Sequence, residues 1–242
     1  MPKSDRMKGR AAKRGAVATE FTPFDEPARP VAVKPFEPRT EKQRRYVNAM
    51  RHGFMVTFGI GPAGTGKTYA AGCVGAELLR AKKVEKIILT RPAVEAGGEK
   101  LGYLPGEKEQ KFDPYFDPFR EVLEERLGKS FVEMMIKAGR IKCEPFAYMR
   151  GKTFKNAFVI LDEAQNATKE QFKLFLTRIG EGSKVVIDGD ETQSDVGSRS
   201  GLIDAVERLE DDPEVRVIEF EEADIVRHDF VQRVVKAYTV RK

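Results

Sequence analysis

The sequence predicts an α/β fold: one domain built on a mostly parallel sheet with helices on both faces. Three observations predict it. Short apolar, β-rich runs alternate with longer helical stretches, the pattern of buried strands joined by crossover helices. The first run, residues 54–58, leads into Gly61-Pro62-Ala63-Gly64-Thr65-Gly66-Lys67-Thr68, which fits G-x-x-x-x-G-K-[ST]. A later run, residues 156–161, ends in the paired acids Asp162-Glu163.

The leading arm, residues 1–38, carries six of the thirteen prolines. Residues 1–45 hold twelve Lys/Arg against six Asp/Glu, leaving 31 against 32 for the rest of the chain. The formal charge of +5 therefore sits at the front, and the body is nearly neutral. Overall basicity is then no argument for a nucleic-acid groove in the body. Such a composition buries too little to offset its ordering entropy, so a mobile arm or a strap is expected, with the domain proper over 39–242. A nucleic-acid or partner-binding tail and a solubilising tail are both open.

Thr40-Glu41-Lys42-Gln43 marks a helix start, with Tyr46, Val47 and Met50 on one face. Gln43, just before the first strand, is a candidate adenine contact. A carboxamide can donate to a ring nitrogen and accept from the exocyclic amine. The Gly61–Thr68 loop then precedes a proline-free, Ala/Leu-rich helix over 69–82. That order has a physical reason: a helix N-terminus offers unpaired N–H groups and partial positive charge, and glycines let the backbone wrap an anion. Lys67 would reach the β- and γ-phosphates of a nucleotide, and Thr68 would offer its hydroxyl to Mg²⁺.

A second buried strand covers residues 86–92, stopped by Pro92. Residues 95–106, with four glycines and a proline, read as a long irregular loop. Residues 112–119 read as an aromatic, proline-punctuated connector; its rings could stack on bases, but aromatics between helices more often serve a core or an interface, and that reading is favoured. Helices follow over 119–127 and 130–138, then a strand over 140–146. Next comes the apolar strand that emerges with two carboxylates. Asp162 at its tip would hold Mg²⁺, and Glu163 would orient and deprotonate an attacking water. Thr168 caps a helix over 169–179. A buried strand at 184–188 leads to Gly189-Asp190-Glu191-Thr192-Gln193, where Gln193 is placed to sense a γ-phosphate. A helix over 202–209, a strand over 215–220 and a helix near 230–238 complete the chain.

Two cysteines, Cys73 and Cys143, are too few for a disulfide framework and read as buried small hydrophobes. His52 and His228 lie far apart without Cys partners at zinc spacing. No apolar run nears the ~18 residues that span a bilayer. The basic N-terminus lacks an apolar secretory core. A soluble, cytoplasmic protein without a membrane partner is expected.

Gln43, GPAGTGKT, ILDEAQN and DGDETQ, in that order, resemble the motor core of superfamily-one helicases. The wording between them is closer to the PhoH-like, phosphate-starvation-inducible ATPases. Thr90-Arg91-Pro92-Ala93-Val94, Gly97 through Gly102, Ala147-Tyr148-Met149-Arg150-Gly151 and Ile225-Val226-Arg227-His228 carry that likeness, which covers roughly residues 38–240. Asp188, an extra acid beside the 189–193 loop, and the doubled glycine at 97–98 depart from the pattern. The resemblance implies a single RecA-like P-loop NTPase domain with ATPase activity, ATP and Mg²⁺ as cofactors, and a place in RNA metabolism or phosphate response. The RNase activity of relatives fused to a nuclease domain is not implied.

Phosphoryl transfer calls for positive charge beside the γ-phosphate, often an arginine supplied from elsewhere. A chain with one such domain would borrow it by head-to-tail assembly into a homo-oligomeric ring, a hexamer as in related proteins. Arg227 is the first candidate and Arg178 the second. Three classes follow: an ATPase stimulated by single-stranded nucleic acid, RNA before DNA; an ATP-dependent oligomerisation switch; and a small-molecule kinase or GTPase. The last is disfavoured, because no N/T-K-x-D guanine-reading motif and no Arg-rich lid is present.

Overall fold

The computed structural model describes residues 35–92, 113–144, 146–149, 151–226, 230, 231, 233 and 234. Six strands, β1 (Val56–Ile60), β2 (Lys86–Thr90), β3 (Ile141–Cys143), β4 (Ala157–Leu161), β5 (Lys184–Gly189) and β6 (Val215–Glu219), pair in parallel in the order β3-β2-β4-β5-β1-β6. The helices are α1 (Glu41–Arg51), α2 (Lys67–Arg80), α3 (Asp113–Leu127), α4 (Lys129–Lys137), α5 (Lys169–Leu176) and α6 (Leu202–Leu209).

The central strands are apolar throughout because both their faces are covered. Every residue of β1 and of β4 is buried, and successive β4 side chains feed alternate layers. Phe158 and Ile160 join the layer beneath α1 to α4, with Tyr46, Phe119 and Leu123. Ala157, Val159 and Leu161 join the other, with Phe172 and Phe175 of α5. Edge strand β6 is exposed at Arg216 and Glu219.

The strand order places β5 between β1 and β4. The carboxyl ends of β1 and β4 therefore face each other across one strand, the geometry that opens a crevice in doubly wound sheets.

Several expectations are revised. The aromatic connector is helical: α3 begins at Asp113 and carries Pro118 inside it. Pro118 forfeits one main-chain hydrogen bond, and the burial of Phe116 and Phe119 outweighs that loss. The strand expected over 140–146 shortens to Ile141–Cys143, since residues 146–149 turn into a 3-10 helix. The 169–179 helix stops at Leu176, where Thr177 turns its hydroxyl onto the Lys173 and Leu174 carbonyls. Cys73 is buried as expected, but Cys143 is only half-buried, on a strand at the sheet edge. The loop over 95–106 and most of the arm and of the last helix lie outside the described residues.

Part of the arm is strapped to the body. The Phe36 amide donates to Glu77 Oε1 at 2.9 Å, Arg51 donates to the Phe36 carbonyl at 3.3 Å, and the Phe36 ring stands edge-on to Tyr69. Among the described residues, no helix is long and apolar enough to cross a membrane.

Candidate active site

The glycine-rich loop is shaped by backbone demands. Gly61 leaves β1 at φ +137°, and a Cβ there would stand 2.3 Å from the Phe220 carbonyl oxygen. Gly66 enters α2 at φ +79°, a conformation that L side chains rarely adopt. Lys67 opens α2, and its ammonium curls back onto the loop. It donates to the carbonyls of Gly61 (2.7 Å) and Pro62 (2.9 Å) and to Thr65 Oγ1 (3.3 Å). Burial pushes the Lys67 pKa down, while the charges of Asp188, Asp190, Asp162 and Glu163 push it back up.

Gln43 is buried against the loop. Its Nε2 donates to the Thr65 carbonyl at 2.8 Å, and its Oε1 accepts from the Arg39 amide at 2.7 Å. The helix before the first strand thus braces the loop directly.

Opposite stand the acids. Thr68 Oγ1 donates to Asp162 Oδ1 at 3.1 Å, so the two groups expected to share a metal touch each other. A hydroxyl and a carboxylate are hard oxygen donors. Together with phosphate oxygens they match Mg²⁺, which takes one or two protein ligands and completes its shell from substrate and water. Asp162 Oδ2 accepts two N–H groups of Arg91, at 3.0 and 2.5 Å.

Glu163 sits at φ +54° with ψ 40°, a left-handed turn at the strand end that is costly for a residue with a Cβ. Its Oε2 accepts from Gln165 Nε2 at 2.7 Å, and Gln165 Oε1 accepts from the Asp190 amide at 3.0 Å. Asp190 in turn accepts from Gln193 Nε2 at 2.7 Å and from the Thr192 hydroxyl at 2.6 Å. Gln193 is therefore folded back on Asp190, at the rim of a cleft of about 220 Å³ that Gly64, Lys67, Thr68, Asp162, Glu163 and Asp188 also line.

Below the cleft, Asp188 Oδ1 accepts from Tyr46 Oη at 2.5 Å, while Asp188 Oδ2 is buried without a hydrogen bond. Gly59, the partner of Asp188 on β1, leaves the room, since a Cβ there would meet both side chains within 2.8 Å. Burial first, and then the Asp162 charge, raises the Asp188 pKa to about 7, against the opposing pull of the Tyr46 hydrogen bond and Lys67.

The structure thus brings together Gln43, the loop from Gly61 to Thr68, Asp162, Glu163 and Gln193. It does not bring Arg178 to them. Arg178 follows α5 and hands its carbonyl to the Phe154 amide, at the edge where β4 and β5 begin. Arg227 lies outside the described residues, although the neighbouring Val226 amide donates to the Gly64 carbonyl at 3.0 Å. Sequence reasoning missed Arg91, Gln165 and the Tyr46–Asp188 pair. The available signal was a charged or polar residue at the carboxyl tip of a buried strand, which Arg91 and Asp188 both show.

A glycine-rich loop between a buried strand and a helix, facing acids two strands away, defines the class: an α/β P-loop NTPase domain of RecA-like topology. The PhoH family profile, described as "PhoH-like protein", matches residues 35–239, and the chain belongs to that family. It is 50% identical to the PhoH-like protein of Mycobacterium tuberculosis strain H37Rv over 207 residues, 85% of this chain and 58% of that one. It is 49% identical to the PhoH-like protein of Bacillus subtilis over 202 residues, 83% and 63% of the two chains. It is 46% identical to Protein PhoH of Escherichia coli K12 over 209 residues, 85% and 58%. The alignments thus cover roughly three-fifths of the length of these relatives.

Proposed function

We propose that this chain binds ATP with Mg²⁺ and hydrolyses it. The observation that carries the reading is the meeting of Lys67, Thr68, Asp162 and Glu163 in one cleft at the carboxyl edge of the sheet. Lys67 would leave the Gly61 and Pro62 carbonyls for the β- and γ-phosphates, and the loop amides and the α2 N-terminus would take the remaining anionic charge. Thr68 and Asp162 would hold Mg²⁺, which when bound neutralises charge on the phosphate oxygens. Glu163, oriented by Gln165, would accept a proton from the water that attacks the γ-phosphorus, leaving ADP and inorganic phosphate. Gln193 would release Asp190 to contact the γ-phosphate, and Gln43 would stand at the adenine.

Turnover of the purified chain tests this. Lys67→Ala should abolish binding of a fluorescent ATP analogue. Glu163→Gln should keep binding and lower kcat by about 10²–10⁴-fold. Unchanged turnover in Glu163→Gln removes the proposal.

Arg178, at the edge of the sheet away from its own chain's cleft, fits donation to a neighbouring subunit, and Arg227 remains the other candidate. A head-to-tail homo-oligomer, a hexameric ring, would complete each site with such an arginine. Mixing Arg178→Ala or Arg227→Ala subunits with Lys67→Ala subunits should restore activity if sites are shared. Single-stranded RNA, or DNA, is the proposed partner, with residues 1–38 supplying phosphate contacts. The near-neutral body favours a second reading, an ATP-dependent oligomerisation switch without nucleic acid. ATP turnover with and without single-stranded RNA separates the two.

A further inference from the structure

Arg91 is the first residue after β2, and Asp162 the first after β4. The two strands run in parallel with Thr90 opposite Leu161, and the Asp162 amide donates to the Thr90 carbonyl at 2.9 Å. Sheet register therefore sets the two side chains beside each other. Pro92 holds Arg91 away from helical backbone.

The resulting contact is a two-pronged one. Arg91 gives Nε–H and one terminal N–H to the same oxygen, Asp162 Oδ2, at 3.0 and 2.5 Å, while Thr68 occupies Oδ1 at 3.1 Å. Both oxygens of the carboxylate expected to serve a metal are thus engaged. The exposures are unequal: the Arg91 side chain is 28% exposed and that of Asp162 only 6%. The carboxylate is fixed, and the guanidinium has solvent to move into.

We propose that Arg91 is a built-in counter-ion of Asp162 that must be exchanged for Mg²⁺ when the metal–nucleotide complex enters. The proposal rests on the Mg–ATP reading of this cleft. A guanidinium and a divalent cation repel each other and compete for the same oxygens. The Arg91 contact therefore raises the magnesium concentration at which the site fills. It also has a use without metal: Asp162, Glu163, Asp188 and Asp190 converge on the cleft, and Lys67, the one cation among the described residues that line it, does not balance them. Arg91 is a positioning residue in this scheme. It holds the carboxylate in place until the metal takes over.

The test uses the full chain carrying Arg91→Gln or Arg91→Lys, at constant ionic strength. First, the melting temperature is followed against MgCl₂ alone. Arg91→Gln should melt lower than wild type without divalent ion and recover more of the loss as MgCl₂ rises. Second, the MgCl₂ giving half-maximal binding of a fluorescent ATP analogue should fall about three- to tenfold in Arg91→Gln, with Arg91→Lys between. In an Asp162→Asn background, Arg91→Gln should shift neither readout.

An unchanged half-saturating MgCl₂ in Arg91→Gln overturns the exchange. So does an increase, which would place the guanidinium on the nucleotide phosphates instead. Should Arg91→Gln not fold, Arg91→Lys carries the same test, because it keeps the charge and loses the fork. Wild-type protein that binds no nucleotide would end the ATP reading, and the melting series against MgCl₂ alone would still decide the Arg91–Asp162 exchange.

Discussion

The two walls of the cleft are held in place by different means. The loop wall is positioned by main chain: left-handed glycines, the Gly61 contact with Phe220, and a lysine and a glutamine bonded to loop carbonyls. The acid wall is positioned by side chains that hold one another, Arg91 on Asp162, Gln165 on Glu163, and Gln193 on Asp190. A wall built from backbone tolerates little change of shape but needs no particular partner. A wall built from side chains can rearrange when a ligand arrives, and each link in it can be cut singly.

That contrast can be broken first at Gly61. Gly61→Ala forces a Cβ into the Phe220 carbonyl and strains a positive φ. A loss of stability on the order of 2–4 kcal/mol is expected, read by thermal or urea unfolding. Full stability would mean the loop wall is less rigid than its contacts suggest.

On the acid wall the expected effect is on rate rather than on folding. Gln165→Ala frees Glu163 and the Asp190 amide together, and should lower kcat about 10–100-fold with nucleotide affinity within about threefold of wild type. A variant that binds poorly but turns over normally once saturated would put Gln165 in binding instead.

The smallest effect is expected under the cleft, where Tyr46 meets Asp188. The Asp188 pKa, about 7 in the fold, lies above the ordinary 3.8. The folded state therefore binds a proton more readily than the unfolded chain between those values. Stability from that proton is complete below about pH 4 and is lost as pH rises through 7. Asp188→Asn keeps an acceptor for the tyrosine and removes the titration. Its stability relative to wild type should rise by about 1–2 kcal/mol from pH 6 to pH 8. A flat difference between the two proteins would show that the carboxylate is ionised throughout.

Much of this was readable before any fold was known. The loop, the acid pair, Gln43 and Gln193 each carry a local pattern; the structure sets the loop, the acids and Gln193 around one cleft, and buries Gln43 against the loop itself. The connector at 112–119 misled because proline and aromatic spacing outweighed helix period, whereas burial of Phe116 and Phe119 decides the outcome. Arg91 had no reader because its partner stands 71 residues away.

The amino-acid sequence by itself determined where the glycine-rich loop and the paired carboxylates occur, because glycine, lysine and acid spacing act within a few residues. Tertiary structure alone decided that Arg91 faces Asp162 and that Tyr46, 142 positions before Asp188, closes on it. Those pairs depend on which strand tips become neighbours. Strand order follows from burying both faces of the whole sheet, not from any one segment.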